Sequence, residues 1–489
     1  MKASNTAWAA LPLVLALAGC GGGSGSNNST PSTPETPVVP SADRIEPFDP
    51  SGTAKAQAAP AAPVHAAAGP QATRTVALGA LAQSKAAAAA EPGVPLQIGT
   101  ARGVQDTATV AATAALLRWQ PTAHGTQVAA LRFTAEGAHG VRLGVLVQAL
   151  PAGAMLRFYG ATDEGAVEIG ADELRAVAER NAQGGAADDA ARTYWSPDFG
   201  GPQTTLEVEI PAGAQAAAVQ LAVPRLSHFT VAPAAAEEAA FAKVGESGSC
   251  NVDVTCRPEY LDQSRSVARM IYVREDGKSY LCTGTLLNDA QSSGTPYFLS
   301  ANHCISTQAV ASTLTTDWFY RSASCGGSGV NPATTRLAGG AMLLYASATT
   351  DVSFLRLDRP APAGIVYAGT YFGGVQAGQA LAGVHHPKGD LQKVSQGVVL
   401  RYSTCSGEWC TNSDGTNGTF LTLGWQQGVV EGGSSGSGAF ITIGPRRYVV
   451  GQLFGGTSSC ENPAGVDHYG RFDTSYRAAI KNWLNPGTP

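Results

Sequence analysis

Between residues 93 and 243 apolar and polar positions alternate in short runs: TQVAALRFTA, GVRLGVLVQAL, MLRFYGA, TTLEVEIPAG and AAVQLAVPRLSHFTVAP. Period-two runs of this length, parted by Gly, Pro, Asn and Asp, predict six to eight strands of a β-sandwich. ADELRAVAERNA breaks the alternation with helical spacing and predicts one short helix. From residue 244 the pattern is strand-like again. RMIYVREDGKSYLCTGTLL reads as strand, Asp276-Gly277 turn and strand, and further strands are expected at PYFLSANHC, DVSFLRLD and RRYVVGQLFGG. TSYRAAIKNWL carries Tyr476, Ile480, Trp483 and Leu484 at helical spacing, which predicts a C-terminal helix. The expected class is all-β.

The first ninety-two residues differ. Behind Met1-Lys2 the apolar run AWAALPLVLALAG is too short for a membrane span of about 20 residues, so residues 1–20 read as a signal peptide. Leu17-Ala18-Gly19-Cys20 resembles a bacterial lipobox, in which Cys20 is the lipidated residue; Gly rather than Asp at 21 favours the outer membrane. Residues 21–92 are Gly, Ser, Thr, Pro and Ala with hardly an aromatic, and are expected as a disordered linker unable to build a core. AAAEEAAFAK, ending at Lys243, is a small-residue connector. The chain thus divides into 1–20, 21–92, 93–243 and 244–489.

Composition narrows the functions. A net charge of −5 with 14% charged residues leaves no basic footprint for nucleic acid. Of nine cysteines, setting aside Cys20 leaves 250, 256, 282, 304, 325, 405, 410 and 460. In an exported chain that even number implies up to four disulfides. No Cys-x-x-Cys occurs, so neither a metal nor another cofactor is expected.

Three local contexts carry chemistry. FLSANHC puts His303 just past a strand, TTDVSFLRLD puts Asp351 at the entry to another, and EGGSSGSGAF offers serines between glycines. Serine acyl transfer needs an imidazole to take the proton, a carboxylate to orient it, and backbone donors for the oxyanion. The order His, Asp, Ser is that of chymotrypsin-like proteases, whereas α/β-hydrolases run Ser, Asp, His. Gly432-Gly433-Ser434-Ser435-Gly436 also matches G-x-S-x-G centred on Ser434, but a strand-like AFITIG follows instead of the helix that motif requires. Ser435 is therefore the expected nucleophile, with the N–H groups of Gly433 and Ser435 as the oxyanion hole.

GESGSCNVDVTC, CTGTLL, FLSANHC, TTDVSFL, HHPKG, EGGSSGSG, GQLFGG and DHYGRFDTS are spread through residues 245–489. Together they resemble the lysyl endopeptidases, secreted bacterial relatives of chymotrypsin. The resemblance implies a chymotrypsin-like double β-barrel with the active site between barrels, His303 as general base, Asp351 as its orienter and Ser435 as nucleophile. It also implies the pairings Cys282–Cys304, Cys250–Cys460 and Cys256–Cys325, with Cys405–Cys410 a further local bridge. Closing the loop from 250 to 460 is worth on the order of 4–5 kcal/mol in the chain-entropy model.

Trypsin keeps its specificity carboxylate six residues before the nucleophile, where this chain has Val429; the lysine-specific family places it downstream, matching Asp467. A Lys⁺ entering a desolvated pocket needs that opposite charge. Phe454 and Gly455 are expected beside it, Phe454 replacing a histidine of the best-known family member. That member's substrate-side tryptophan has no evident counterpart, Tyr402 being the nearest suggestion, and the pair His385-His386 reads as structural. Lysine is absent from 86 to 242 and then appears at Lys243, so a lysine-cutting enzyme could spare its pro-region and free itself there. Ser434 stands where trypsin has the aspartate of its activation switch, which favours a pro-region that assists folding or blocks the cleft. The expected protein is a monomeric, exported outer-membrane lipoprotein precursor, its mature protease cell-surface or extracellular, acting on proteins or peptides. The alternatives are a Lys/Arg or broader specificity, and an inactive surface-anchored binding protein on a protease fold.

Overall fold

A computed structural model describes residues 43–52, 64–81, 93–231 and 246–487, apart from 328, 408 and 416. Cys20 and Lys243 lie outside the described residues. The protein is mostly β. Two sheets, antiparallel except where Gly369–Tyr371 runs parallel to Arg446–Gly456, make the C-terminal half, where the sequence alternates least because both faces are covered.

The first sheet runs in the order Thr335–Ala338, Thr315–Trp318, Val267–Val273, Ser279–Leu287, Tyr297–Ala301, Val352–Leu357, Ala341–Ser347. Every residue of Val267–Val273 and Ser279–Leu287 is buried, and these strands pair in the hairpin that Asp276-Gly277 announces, Gly277 taking φ +82°. In the second sheet, Arg446–Gly456, Gly438–Ile443, Ala380–His385, Lys393–Ser406, Phe420–Gln427 and Val466–Arg471 follow one another, and the last pairs back onto the first. Six strands thus close a barrel, which leaves no open edge among them. Behind it, residues 472–484 form the expected helix with a π-helical turn at Tyr476–Ile480, burying Tyr476, Ile480 and Leu484 against Val352, Phe354 and Phe440.

The N-terminal half packs a sheet of Thr73–Leu78, Gln127–Ala135, Gln203–Ile210, Met155–Tyr159 and Val167–Gly170 on one of Thr193–Trp195, Val141–Ala149, Gln220–Phe229 and Gly99–Gly103. Phe133, Phe158, Leu143, Val208 and Leu226 fill the space between them. The expected helix is Ala171–Gln183, joined by shorter helices at Val110–Leu116 and Asp188–Arg192.

The expectation of a coreless linker over 21–92 needs correction. Thr73–Leu78 adds a parallel strand to Gln127–Ala135, burying Val76. Arg44–Ile45 adds an antiparallel strand to Gly369–Tyr371 of the C-terminal half, burying Ile45. A segment that joins an existing sheet edge draws on backbone hydrogen bonds and one apolar side chain, so it needs no core of its own. The boundary at 93 shifts for the same reason, because Leu96–Gln97 pairs with Tyr280–Leu281 of the first C-terminal sheet.

Candidate active site

His303 follows the strand Tyr297–Ala301, and the Cys282–Cys304 disulfide ties its loop to the neighbouring strand. Its Nδ1 lies 2.7 Å from Asp351 Oδ2, and its backbone N–H donates to Asp351 Oδ1 at 2.8 Å. Arg274 donates to the His303 carbonyl. Asp351 adopts φ +50°, a left-handed conformation that Asp tolerates better than most residues. Two bonds hold it there: its N–H donates to Ala348 O at 3.3 Å, and its carbonyl accepts from Asn302 N at 2.9 Å. The carboxylate therefore aims both oxygens at one residue. His303 Nε2 is buried without a hydrogen-bond partner among the described residues, and Phe454 meets the ring edge-on at 5.9 Å.

The serine loop joins the strands Phe420–Gln427 and Gly438–Ile443. Gly433 has φ +96°, and a Cβ there would stand 2.9 Å from His386 O. Gly436 has φ +84°, and its Cβ would fall 2.2 Å from Ser300 Oγ. Both positions require glycine, for torsion and for space. Thr283 pins the loop from below, Oγ1 donating to Gly433 O at 2.9 Å and N–H to Ser435 O at 2.8 Å. The N–H groups of Gly433 and Ser435 donate to no protein acceptor among the described residues.

Burial distinguishes the three serines. Ser434 and Ser437 are fully enclosed, while Ser435 is 7% exposed and lines a pocket of about 280 Å³. Ser434 does contact a histidine, its Oγ lying 2.8 Å from His385 Nδ1, and His385 Nε2 lies 3.0 Å from Ser395 Oγ. Burial pushes the His385 ring down to about 3, helped by the nearby charges of His386 and Lys393, so it is neutral at pH 7. With no carboxylate on its second nitrogen and no access for substrate, this pair braces the loop. The sequence separates His385 from Ser434 by 49 positions and gives no sign of the contact.

The pocket that Ser435 lines continues past Phe454, Gly455 and Gly456 to Asp467. Asp467 is buried, with Oδ2 accepting from Trp425 Nε1 at 2.5 Å and from Ser458 Oγ. Oδ1 is buried without a hydrogen-bond partner among the described residues, and a Cβ on Gly456 would stand 2.3 Å from it. Burial pushes this carboxyl up to about 6, against the pull of the Ser458 and Trp425 bonds. Trp425 and Ser458 escaped sequence reasoning, since neither sits in a motif. Tyr402 is elsewhere: its hydroxyl donates to Val375 O and Arg471 covers its ring at 4.8 Å. Val429 is buried and accepts from Ser395 Oγ through its carbonyl. Glu431 is committed to Gly248 N at 2.9 Å, Asn251 Nδ2 at 2.7 Å and Lys388 Nζ at 3.1 Å.

Disulfides join Cys250 to Cys460, Cys256 to Cys325, Cys282 to Cys304 and Cys405 to Cys410. Among the described residues two clusters hold His and Cys close enough for a metal, Cys282-His303-Cys304 and Cys405-Cys410-His468. In both the sulfurs are already bonded to each other and offer no thiolate. No helix among the described residues is long and apolar enough to cross a membrane.

Comparison with known proteins follows this layout. A family model described as the lysyl endopeptidase C-terminal domain matches residues 244–470, and one described as the lysyl endopeptidase N-terminal domain matches 70–230. A lysyl endopeptidase of Pseudomonas aeruginosa is 35% identical over 414 residues, 81% of this chain and 83% of its own length. Among solved structures, the active form of the Rv3671c protease of M. tuberculosis aligns at TM-score 0.32 and 14% identity, over 49% of this chain and 90% of that one. The HtrA-type protease AlgW with tripeptide aligns at 0.31 and 15%, over 47% and 64%. Nothing about function rests on likenesses that low.

Proposed function

The chain belongs to the lysyl endopeptidase family and is a serine endopeptidase, and from that premise we propose that it cuts peptide bonds on the carboxyl side of lysine through Ser435, His303 and Asp351. The observation that carries the lysine reading is the buried, unpartnered Asp467 Oδ1 in the same pocket as Ser435. A buried carboxylate oxygen without a donor costs free energy until a cation reaches it. Lysine's ammonium on four methylenes supplies that cation at the end of an apolar stem.

In this mechanism His303 Nε2 takes the Ser435 hydroxyl proton as Oγ adds to the substrate carbonyl. Asp351 keeps the proton on Nδ1 and offsets the charge that develops on the ring. The N–H groups of Gly433 and Ser435 stabilise the oxyanion, each worth about 10²–10³ in rate. His303 then protonates the leaving amine, and water repeats the sequence to release the acid. Specificity is tested with lysyl and arginyl anilides: kcat/KM is expected to favour lysine at least tenfold, and equal values would reject the reading. Asp467 must be ionised to attract Lys⁺. Its raised pKa therefore makes KM for the lysyl substrate climb as the pH falls through about 6.

The same reading includes a precursor anchored through Cys20 and cut after Lys243, with a pro-region that obstructs the cleft. Gly93 N–H donates to Phe454 O at 3.3 Å, Val94 lines the Ser435–Asp467 pocket, and Leu96–Gln97 pairs antiparallel with Tyr280–Leu281. These contacts support a strap laid across the catalytic centre. It offers an uncharged valine to a pocket built for a cation, followed by Pro95, whose tertiary amide lacks an N–H. Val94→Lys with Pro95→Ala is expected to be cut after position 94, read by N-terminal sequencing, and to stay intact when Ser435→Ala is added. An uncut active variant would show that the strap is not seated like a substrate.

A further inference from the structure

Residues 43–52 precede the pro-region in sequence but are built into the protease half. Arg44 and Ile45 pair with Tyr371 and Thr370 of the short strand Gly369–Tyr371, which extends the second sheet from Arg446–Gly456 beyond the six barrel strands. The pairing continues on both sides. Phe372 N–H donates to Asp43 O at 2.9 Å, and Phe48 and Tyr367 exchange both backbone bonds at 2.9 Å. Ile45 is 4% exposed, in one apolar cluster with Leu287, Ala368 and Val449. Phe48 lies 5.9 Å from the Tyr367 ring.

The polar groups fit as well. Glu46 Oε2 accepts from Arg446 Nη1 at 2.6 Å and Tyr448 OH at 2.7 Å, and its carbonyl accepts from the buried Asn288 Nδ2 at 3.0 Å. Asp49 pairs with Arg265 at 2.7 Å. A Cβ on Gly369 would stand 2.7 Å from Ile45 O and from Pro47 N, so only glycine at 369 lets the segment come this close. Each of these partners lies between residues 265 and 449.

We infer that residues 43–52 are a clamp that keeps the N-terminal segment, and whatever Cys20 carries, on the protease domain after the connector at 232–245 is cut. The inference rests on the anchoring and processing proposed above. Lysine positions point the same way. Lys2 and Lys55 bracket a stretch without lysine, so a lysine-cutting enzyme that cleaves at Lys55, Lys85 and Lys243 removes its pro-region yet leaves the clamp joined to Cys20. The edge therefore selects an extended peptide with an aliphatic residue, a carboxylate next to it and an aromatic three positions on. Maturation unblocks the cleft without releasing the enzyme from its anchor.

The test uses the full chain with Ser435→Ala, an affinity tag inserted near residue 30, and foreign-protease sites placed within 55–62 and 234–243. Cutting both separates the tagged peptide from the pro-region, so co-purification reports the clamp alone. The 246–489 fragment is expected to stay on the tag resin, and Ile45→Asp with Phe48→Ala to reduce its retention at least tenfold without altering the protease sequence. Loss of the fragment from the unsubstituted chain, or equal retention in the variant, overturns the proposal. Cys20 acylation and lysine specificity play no part in the assay. Their failure would appear separately, as unchanged membrane partitioning in Cys20→Ala or as equal anilide rates.

Discussion

Ser435→Ala is expected to lower kcat by about 10⁶-fold, while Ser434→Ala keeps activity within about tenfold of the parent. The adjacent serines differ in what they can reach. Ser435 lines the pocket on a loop whose backbone is tied to Thr283, and that loop abuts Cys304, beside His303. Ser434 is enclosed, its hydroxyl spent on His385. Removing the Ser434 hydroxyl leaves a buried histidine nitrogen unpaired, which costs about 1–3 kcal/mol. The variant should therefore melt earlier but still react with a fluorophosphonate. Label on Ser435→Ala, or its absence from a folded Ser434→Ala, would reverse the assignment.

Asp467→Asn is expected to cut kcat/KM for a lysyl anilide by about 10²–10³, the usual result of removing one member of a buried charge pair. Most of the loss should appear in KM, since the proposed role of Asp467 is to meet the lysine side chain and not the reacting carbonyl. The same variant should be more stable at pH 8. Burial holds the folded-state carboxyl at about 6 against an ordinary 3.8. The unfolded chain thus ionises first, and stability falls as the pH rises through that interval. A gap of that size corresponds to about 3 kcal/mol, and the amide recovers about 1–3 kcal/mol once its own NH₂ has to find a partner. Thermal melts at pH 4 and pH 8 check the sign: the variant's advantage should exist at pH 8 and vanish at pH 4. Unchanged lysine preference in Asp467→Asn would remove Asp467 from substrate recognition.

The strap and the clamp share a property that explains why neither could be read from the chain. Leu96–Gln97 and Arg44–Ile45 are two-residue strands. Each joins a sheet that exists without it, and a two-residue strand has no periodicity to detect. Composition marks 21–92 as unable to build a core of its own, yet Arg44–Ile45 and Thr73–Leu78 within it join sheets built elsewhere. Ile45 and Val76 are buried in cores supplied by distant residues. Composition reports whether a segment can fold alone, and says nothing about whether it can dock.

His303, Asp351 and Ser435 stood out in the chain because each sits in a short motif with chemistry of its own, and their order along the sequence selects one hydrolase architecture over another. The all-β class, the Asp276-Gly277 hairpin and the C-terminal helix were equally local, since they follow from side-chain periodicity and turn residues. Register was not local. Leu423 pairs with Asp467 across two strands, and from that alignment Trp425 comes to donate to the Asp467 carboxylate. A one-residue slip of either strand would put the two side chains on opposite faces of the sheet. The sequence can therefore nominate the acid, base, nucleophile and carboxylate. Which oxygen of Asp467 stays free, which serine is sealed by His385 and which stretch of linker becomes a strand depend on contacts between residues tens to hundreds of positions apart, and those exist only once the sheets have closed.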